Sequence, residues 1–227
     1  MRLSGHQPVY LPGIIVFNKI ALSDAFMLVG HCDYQPKSWH SHNFIRGKDG
    51  PLKLTVPVIK GQSINETMPF KDGPWRRKHI ESIAHSYGKR PYFNYYFPFL
   101  RDLIELVEWA SLADLNASLM RYLAGCLDIG THFLTSENHN IAGHKTEMLI
   151  DMCRKTGAGE YLSSPGETYV DQEQMKAAGI KHHFQKFTHP VYDQGHKDFI
   201  PDLSIIDLLF NCGPESGRIV KEAGYVG

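Results

Sequence analysis

The sequence lacks a long apolar run and an excess of either charge. No stretch of its 227 residues approaches the roughly 20 consecutive apolar residues that a membrane helix needs. Its 24 basic and 24 acidic side chains balance, so no bulk field attracts nucleic acid or an acidic lipid surface. The N-terminal segment also lacks the apolar core of a secretory signal. We therefore expect a cytoplasmic protein with no membrane insertion and no nucleic-acid partner.

Cysteine is scarce and has no pairing pattern. Cys32, Cys126, Cys153 and Cys212 lie far apart, and no C-x-x-C occurs. This spacing predicts reduced thiols rather than a disulfide framework.

Well-known catalytic and nucleotide-binding motifs are absent as well. There is no P-loop, no G-x-G-x-x-G and no G-x-S-x-G. Cys32 beside His31 is a candidate nucleophile, but a small buried cysteine is the commoner interpretation.

Hydrophobic periodicity predicts an opening β–α–β unit. We expect a strand at Met1–Ser4, a helix at Gly13–Leu22 and a buried strand at Ala25–Val29. The alternating segment Leu52–Val58 predicts a further strand, which Pro57 places at an edge.

The remainder of the chain predicts a helical middle and a second α/β part. Residues from about 69 to 127 have helical spacing and many aromatic side chains. Strands and helices alternate again after this segment, up to a last helix that begins at Ser204. We predict one α/β domain over residues 1–227, with a mostly parallel, Rossmann-like sheet in three layers and a helical insertion.

The turn after the first strand is the leading candidate site. His6, Gln7 and Tyr10 lie between Gly5 and Pro12, where a parallel strand meets the following helix. Ligands bind at this edge in open α/β folds. The alternative is a rigid proline-bracketed turn in which His6 caps a backbone group.

A polar and aromatic segment follows the second predicted strand. Trp39 in this segment offers a stacking face for a sugar or nucleotide. The histidines and the aspartate nearby could also bind a metal, but their spacing is loose, and we predict no metal site. These residues are His31, Asp33, His40 and His42.

Three further positions are candidates from local pattern. Arg76 and Lys78 begin a helix and suit a phosphate, although a solvated basic face is almost as good an interpretation. Ser204 is either a helix cap or a ligand-binding residue. Asp207 lies among isoleucine and leucine, so its carboxylate requires a specific partner.

Together these segments resemble one known family over nearly the whole chain. The opening His6-Gln7-Pro8-x-Tyr10-Leu11-Pro12, then Phe17-x-Lys19, and later Tyr192-x-Gln194 and Ser204-Ile205-x-Asp207 occur in the order that the WbqC-like family shows. The chain departs from the family pattern at Gly30–Pro36 and Trp39–Asn43, where histidines replace several of the usual polar residues. It therefore resembles a divergent member.

The resemblance implies a role in bacterial surface glycans such as O-antigens, by transfer of glycine or a similar acyl group to an amino sugar. It also implies the site residues His6, Gln7, Tyr10, Lys19, Trp39, Asn43, His79, Gln194 and Asp207.

Our leading hypothesis is an N-acyl or aminoacyl transferase that acts on a nucleotide-linked amino sugar. We assign the catalytic roles to His6, Asp207 and His79, with His6 as general base because its ordinary pKa lies near neutrality. Asp207 would orient His6 or another site group. The alternatives are an ATP-dependent ligase or nucleotidyltransferase-like enzyme, and a non-catalytic sugar- or nucleotide-binding protein. The sequence indicates no particular cofactor.

Overall fold

The computed structural model of the protein describes residues 1–227 and contains ten strands and eight α-helices. In chain order the elements are β1 (Arg2–His6), α1 (Ile14–Ala21), β2 (Ala25–Leu28), β3 (His42–Arg46), β4 (Pro51–Thr55), β5 (Val58–Ile59), β6 (Met68–Pro69), α2 (Trp75–Tyr87), α3 (Phe93–Glu105), α4 (Leu112–Cys126), β7 (His132–Thr135), α5 (Lys145–Thr156), β8 (Glu160–Ser163), α6 (Gln172–Ala177), β9 (Lys181–Phe187), α7 (Ile205–Cys212), α8 (Ser216–Glu222) and β10 (Gly224–Val226).

A central sheet of six strands carries the fold. The strand order is β10-β9-β8-β1-β2-β7, and all neighbours are parallel except β10, which pairs with β9 in the antiparallel sense. Two small hairpins, β3–β4 and β5–β6, lie outside this sheet. The predicted α/β class with a mostly parallel sheet is confirmed.

Strand β2 shows why the sequence forms a buried parallel sheet. Phe26 and Leu28 belong to the larger apolar cluster of the protein, whereas Met27 and Val29 belong to a second, smaller one. Because successive side chains of a strand point to opposite faces, both faces of β2 are covered. An uninterrupted apolar run is the pattern that such a strand requires.

The structure corrects several predicted boundaries. The predicted strand Leu52–Val58 is two strands in two hairpins, β4 and β5, because Pro57 has no N–H to continue the ladder. Strand β3 lies in a segment that had no predicted strand. Helix α3 begins at Phe93 and includes Pro98 within its length. Strand β10, after the last predicted helix, was not predicted.

Two further sequence expectations concern the chain as a whole. All four cysteines are free, as predicted. None of the helices combines the length and the apolar character that crossing a bilayer requires.

Two buried asparagines hold the turn between β1 and α1. Asn43 donates from Nδ2 to the carbonyls of Tyr10 and Leu11, at 3.1 and 2.6 Å. Asn116 of α4 donates to the carbonyls of Pro8 and His40, at 3.1 and 2.8 Å. Leu11 has a φ of 44°, a left-handed conformation that side-chain-bearing residues rarely adopt. The fixed carbonyls keep this strained turn in one conformation.

Replacing Asn116 by Ala should destabilise the protein by about 1–3 kcal/mol, because two buried carbonyls lose their donor. Urea unfolding measures the change. Asn94→Ala, at an exposed position of α3, is the matched control and should change stability much less. Equal stability loss in the two variants would contradict this account of the turn.

Candidate functional site

The candidate site lies where β1 ends. The chain passes from β1 to β2 on one side, and later returns to β8 on the other side of β1. Strands β1 and β8 are parallel neighbours, with Ser4 opposite Leu162. The carboxyl ends of two such strands flank a crevice, and this is the place where open α/β sheets bind ligands. His6 is the last residue of β1 and lies at this crevice.

The hydrogen bonds of His6 define its tautomer. Its Nδ1 lies 2.7 Å from the carbonyl oxygen of Gln7, which can only accept, so Nδ1 carries the proton and donates. Nε2 of the neutral ring therefore holds a free lone pair. Burial, aided by the nearby ammonium of Lys19, lowers the pKa of His6 to about 4. The imidazole is thus neutral at physiological pH.

One cavity beside His6, here called the tryptophan cavity, has a volume of about 450 Å³. Trp39, Asn43 and the N-terminus of α1 line it, together with His189 and Asp202. The Trp39 ring is half exposed and stacks on His42 with a centroid distance of 5.3 Å. Gly13 at the N-cap of α1 has no capping side chain, so the helix presents uncapped amides to this cavity.

A second cavity that His6 also lines, here called the methionine cavity, has a volume of about 280 Å³. Its walls include Val29, Met148, Leu149, Met152 and Tyr161, and its polar groups include Gln7 and Glu167. His6 is the residue that the two cavities share.

A buried ion pair stabilises the crevice. Lys19 is 1% exposed, and its Nζ donates to the carbonyl of Gly5 at 2.8 Å and to Ser164 Oγ at 2.6 Å. Nζ also lies 3.6 Å from Glu167 Oε1. Burial lowers the pKa of Lys19, and Glu167 opposes this shift. For Glu167, burial acts to raise the pKa, but Lys19 together with the hydrogen bonds from Ser163 and Ser164 outweighs it, and the net pKa is lowered.

Gln7 links the crevice to the segment after β2. Its Oε1 accepts from His40 Nε2 at 2.7 Å, and its amide faces the thiol of Cys32. Burial raises the pKa of Cys32, so the thiol stays protonated at neutral pH. This protonation state disfavours Cys32 as a nucleophile.

Tyr10 and His79 lie inside the protein and line neither of these cavities. His79 Nε2 is 3.1 Å from the carbonyl of Thr55 and must donate to it, so Nδ1 accepts from the Tyr10 hydroxyl at 2.9 Å. Tyr10 is fully buried and His79 is 5% exposed. The structure therefore does not bring His79 together with His6, and this pair of residues joins α2 to the turn.

The basic residues at the start of α2 were also candidates, and one of them has a structural role. Arg76 donates from Nη1 to the carbonyls of Ile104 and Val107, at 2.7 and 2.6 Å, near the end of α3. Its guanidinium lies over the ring of Trp75. Lys78 is exposed on α2, and neither basic residue lines a cavity beside His6.

Asp207 forms the centre of a separate buried network. Its Oδ2 accepts from the Tyr192 hydroxyl at 2.8 Å and from Gln194 Nε2 at 2.9 Å. Burial raises its pKa, and the hydroxyls of Tyr192 and Tyr87 oppose this shift. The carboxylate is completely buried and does not line either cavity beside His6. The acidic residue that lines the tryptophan cavity is Asp202 instead.

Gln194 and Ser204 hold the loop before α7. The Gln194 side chain donates to the carbonyl of Ile200 and accepts from its amide, both at 2.8 Å. Ser204 is the N-cap of α7, and its hydroxyl accepts from the amide of Ile206. Of the two interpretations of Ser204, the structure shows the helix cap.

The polar residues that a metal would need do not converge. His31 bonds Ser136 Oγ at 2.8 Å, His40 bonds Gln7, and His42 stacks on Trp39. No group of three histidine, cysteine or carboxylate side chains has metal-binding proximity.

Sequence reasoning missed several residues that form the site. Glu167, Met152 and Asp202 line the two cavities, and Asn116 fixes the turn. Asp202 was detectable in principle, because it lies two residues before the candidate residue Ser204. Met152 has an ordinary helical apolar spacing, which gives no sign that it borders a cavity.

A larger surface groove lies elsewhere on the molecule. It measures about 1470 Å³ between α3, α4 and α8 and is lined by Tyr95, Phe99 and Tyr122, among others. It contains none of the residues predicted for the site, so size alone does not identify the candidate site.

Comparison with known proteins agrees with the resemblance seen in the sequence. The WbqC-like protein family matches residues 7–219 of the chain. The chain is also similar to the uncharacterized protein Rv1507c of Mycobacterium tuberculosis, with 31% identity over 216 residues, 92% of this chain and 93% of that protein. No solved structure matches the chain significantly.

The buried histidines predict that stability falls in acid. Burial lowers the pKa of His40 and of His79 to about 4, against about 6.5 in an unfolded chain. As the pH falls from about 6.5 towards 4, the unfolded state binds protons that the folded state does not, so stability decreases. Each histidine should contribute a slope of up to about 1.4 kcal/mol per pH unit in this range, and none above it.

Urea unfolding across this pH range measures the slope. His79→Gln should be less stable at neutral pH but should lose stability less steeply in acid than the wild-type protein. An unchanged slope in this variant would show that His79 does not stay neutral in the fold.

Proposed function

The chain belongs to the WbqC-like protein family, and from this premise we propose that it is an N-acyl or aminoacyl transferase acting on a nucleotide-linked amino sugar. The reaction would take place in the cytoplasm, during synthesis of bacterial surface polysaccharide such as O-antigen. The observation that carries the proposal is the neutral His6, which has no hydrogen-bond partner at Nε2 and lines two cavities at the sheet edge.

His6 is neutral at physiological pH and can accept a proton at Nε2 in such a reaction. Its pKa of about 4 lies below the near-neutral value expected from the sequence, which makes the imidazole a weaker base. The amine of the acceptor attacks the carbonyl carbon of an activated acyl donor, for example a thioester. The new C–N bond forms, the C–S bond breaks, and the electron pair of that bond leaves with the thiolate. His6 Nε2 takes the proton that the amine loses and passes it to the thiolate, so the imidazole ends as it began.

The tryptophan cavity is the better place for the acceptor. Its volume lies within the range of about 300–1,000 Å³ that is usual for ligand pockets. Trp39 offers a ring for stacking, and Asp202 offers a carboxylate for sugar hydroxyls or an ammonium group. The uncapped N-terminus of α1 would favour the phosphates, a role that we first gave to Arg76 and Lys78.

The sheet supports this arrangement through its topology. Read along the sheet from β7, the strands follow the chain order 3-2-1-4-5-6, with the sixth antiparallel. Rossmann-like, doubly wound sheets that bind nucleotides have this order. The likeness is one of fold and leaves the chemistry to the site residues.

The same topology favours a second candidate, an ATP-using ligase or nucleotidyltransferase-like enzyme. A histidine at the end of the first strand and a helix N-terminus next to it would suit an adenylate-forming reaction as well. AMP formation from ATP, an amino acid and an amino sugar would identify this second function. Binding of a nucleotide-sugar without its consumption would instead indicate a non-catalytic binding protein.

Replacing His6 by Ala should lower turnover by about 100-fold or more, because the amine then lacks its general base. The measurement is acyl transfer from thioesters to a nucleoside-diphosphate-linked amino sugar, together with the thermal unfolding midpoint. His85→Ala, an exposed position on α2, is the matched control and should retain activity. Full turnover by a folded His6→Ala protein would exclude the proposed role.

Replacing Trp39 by Ala should raise KM for the nucleotide-linked acceptor about tenfold, since aromatic stacking on a base contributes about 1–3 kcal/mol. The value of kcat should change little. Tyr95→Ala, at a more exposed aromatic position that lines neither cavity beside His6, should leave KM unchanged. A kcat effect without a KM effect would contradict a stacking role for Trp39.

A further inference from the structure

We propose that the methionine cavity is the acyl-binding site, and that it selects a short, linear, apolar acyl group in preference to glycyl. This inference rests on the proposed acyl transfer and adds the identity of the group that is transferred. It assigns the two cavities beside His6 to the two substrates.

The position of the methionine cavity suits the acyl group. His6 lines both cavities and Trp39 lines only the tryptophan cavity, so an acceptor in the tryptophan cavity and an acyl group in the methionine cavity would meet at this residue. With a volume of about 280 Å³ it lies just below the usual range for pockets that bind whole small molecules. It therefore accommodates a fragment of a substrate rather than a nucleotide.

The walls of the methionine cavity define the chemistry of that fragment. Val29, Leu149 and Met152 are buried members of the smaller apolar cluster. A carbon chain placed among them leaves water, and each buried methylene stabilises the complex. An ammonium group in the same place would lose its hydration without a matching partner.

Glu167 does not change this conclusion. Its carboxylate borders the cavity, but the buried ammonium of Lys19 lies 3.6 Å away and already balances its charge. A glycyl ammonium would therefore compete with a cation that also bonds Gly5 and Ser164. The apolar walls and the matched carboxylate together favour a neutral acyl chain.

Met152 limits the length of the acyl chain. A Cβ atom at Gly5 would lie 2.7 Å from the Met152 Cε, so this methyl group lies directly over the backbone next to His6. Gly5 leaves room at this point because it has no side chain. Removing the Met152 side chain would extend the cavity towards α5.

The first experiment measures kcat/KM for acetyl, butyryl, octanoyl and glycyl thioesters of N-acetylcysteamine. The wild-type protein should prefer acetyl or butyryl to glycyl and to octanoyl. Met152→Ala should raise the octanoyl-to-butyryl ratio at least about tenfold, because the differential burial of methylene groups decides the selectivity. A preference of the wild-type protein for glycyl would overturn the inference.

Matched variants separate selectivity from stability. Met175→Ala removes an equally buried methionine of the same cluster that does not line the cavity, and should leave the ratio unchanged. Met148→Ala is the second test variant, since Met148 lines the cavity but is only partly buried. An unchanged ratio in both Met152→Ala and Met148→Ala would also overturn the inference.

A second readout does not depend on turnover. Cys32 lines the methionine cavity and is partly exposed, so its alkylation by iodoacetamide can be followed by peptide mass spectrometry. Butanamide should slow alkylation of Cys32 but not of Cys126 or Cys212, which lie outside the cavity. Equal rates of Cys32 alkylation with and without butanamide would show that the cavity does not bind a short acyl chain.

The two proposals can fail separately. Protection of Cys32 without turnover of any thioester would refute acyl transfer and still support an apolar ligand in this cavity. Turnover that does not respond to Met152→Ala or Met148→Ala, without protection of Cys32, would support acyl transfer and refute the assignment of the cavity.

Discussion

The buried ammonium of Lys19 is the interaction that organises the carboxyl edge of the sheet. It belongs to α1, but it bonds the carbonyl of Gly5 in β1 and the hydroxyl of Ser164 after β8, and it pairs with Glu167. An ion without these partners would be too costly to bury, and breaking such a pair typically costs about 3–5 kcal/mol. The same charge helps to keep the His6 imidazole neutral. One cation thus positions the ends of two strands and adds to the effect of burial in keeping the group between them neutral.

The turn that carries His6 depends on a second constraint of the same kind. The backbone of this turn lies between two prolines and has a left-handed residue at Leu11. It would not keep this conformation by itself. Asn43 from β3 and Asn116 from α4 fix its carbonyls from two directions. The helical middle of the chain therefore has a direct function in the site, although none of its side chains lines a cavity beside His6. Its aromatic residues pack in the hydrophobic core, and its buried Asn116 fixes the conformation of the turn.

The residues of the family pattern divide into two groups. His6, Gln7, Trp39 and Asn43 line the two cavities beside His6. The others form buried polar contacts away from the cavities: Tyr10 and His79 join the turn to α2, Gln194 and Asp207 join the loop before α7 to that helix, and Lys19 joins α1 to β1. Buried polar groups of this kind must be bonded, and a change in one partner leaves the other unsatisfied. Their presence in the family pattern is consistent with structural constraints that are as strict as those of catalysis.

The sequence by itself determined the elements whose physics is local. The apolar run Ala25–Val29 marked a buried strand, and helical spacing marked the aromatic-rich middle of the chain, where α2 lies. It also placed His6 and Trp39 after buried strands, which was enough to predict that they lie at one edge. Strand β10 escaped prediction because its partner β9 is distant in the chain. Strand β3 escaped prediction because the polar side chains of His42, Asn43 and Arg46 hide the apolar pattern of a strand, although its partner β4 follows directly.

Only the tertiary structure decided which polar side chains are accessible. Asp207 and His79 look as reactive in the sequence as His6 does, yet packing buries them against Tyr192 and Tyr10. Glu167, Met152 and Asp202 have no distinctive local signal, and they join the site only because the chain crosses back over β1 after β7. The physical reason is that burial and ion pairing depend on long-range contacts, whereas a sequence pattern records only the preferences of neighbouring residues.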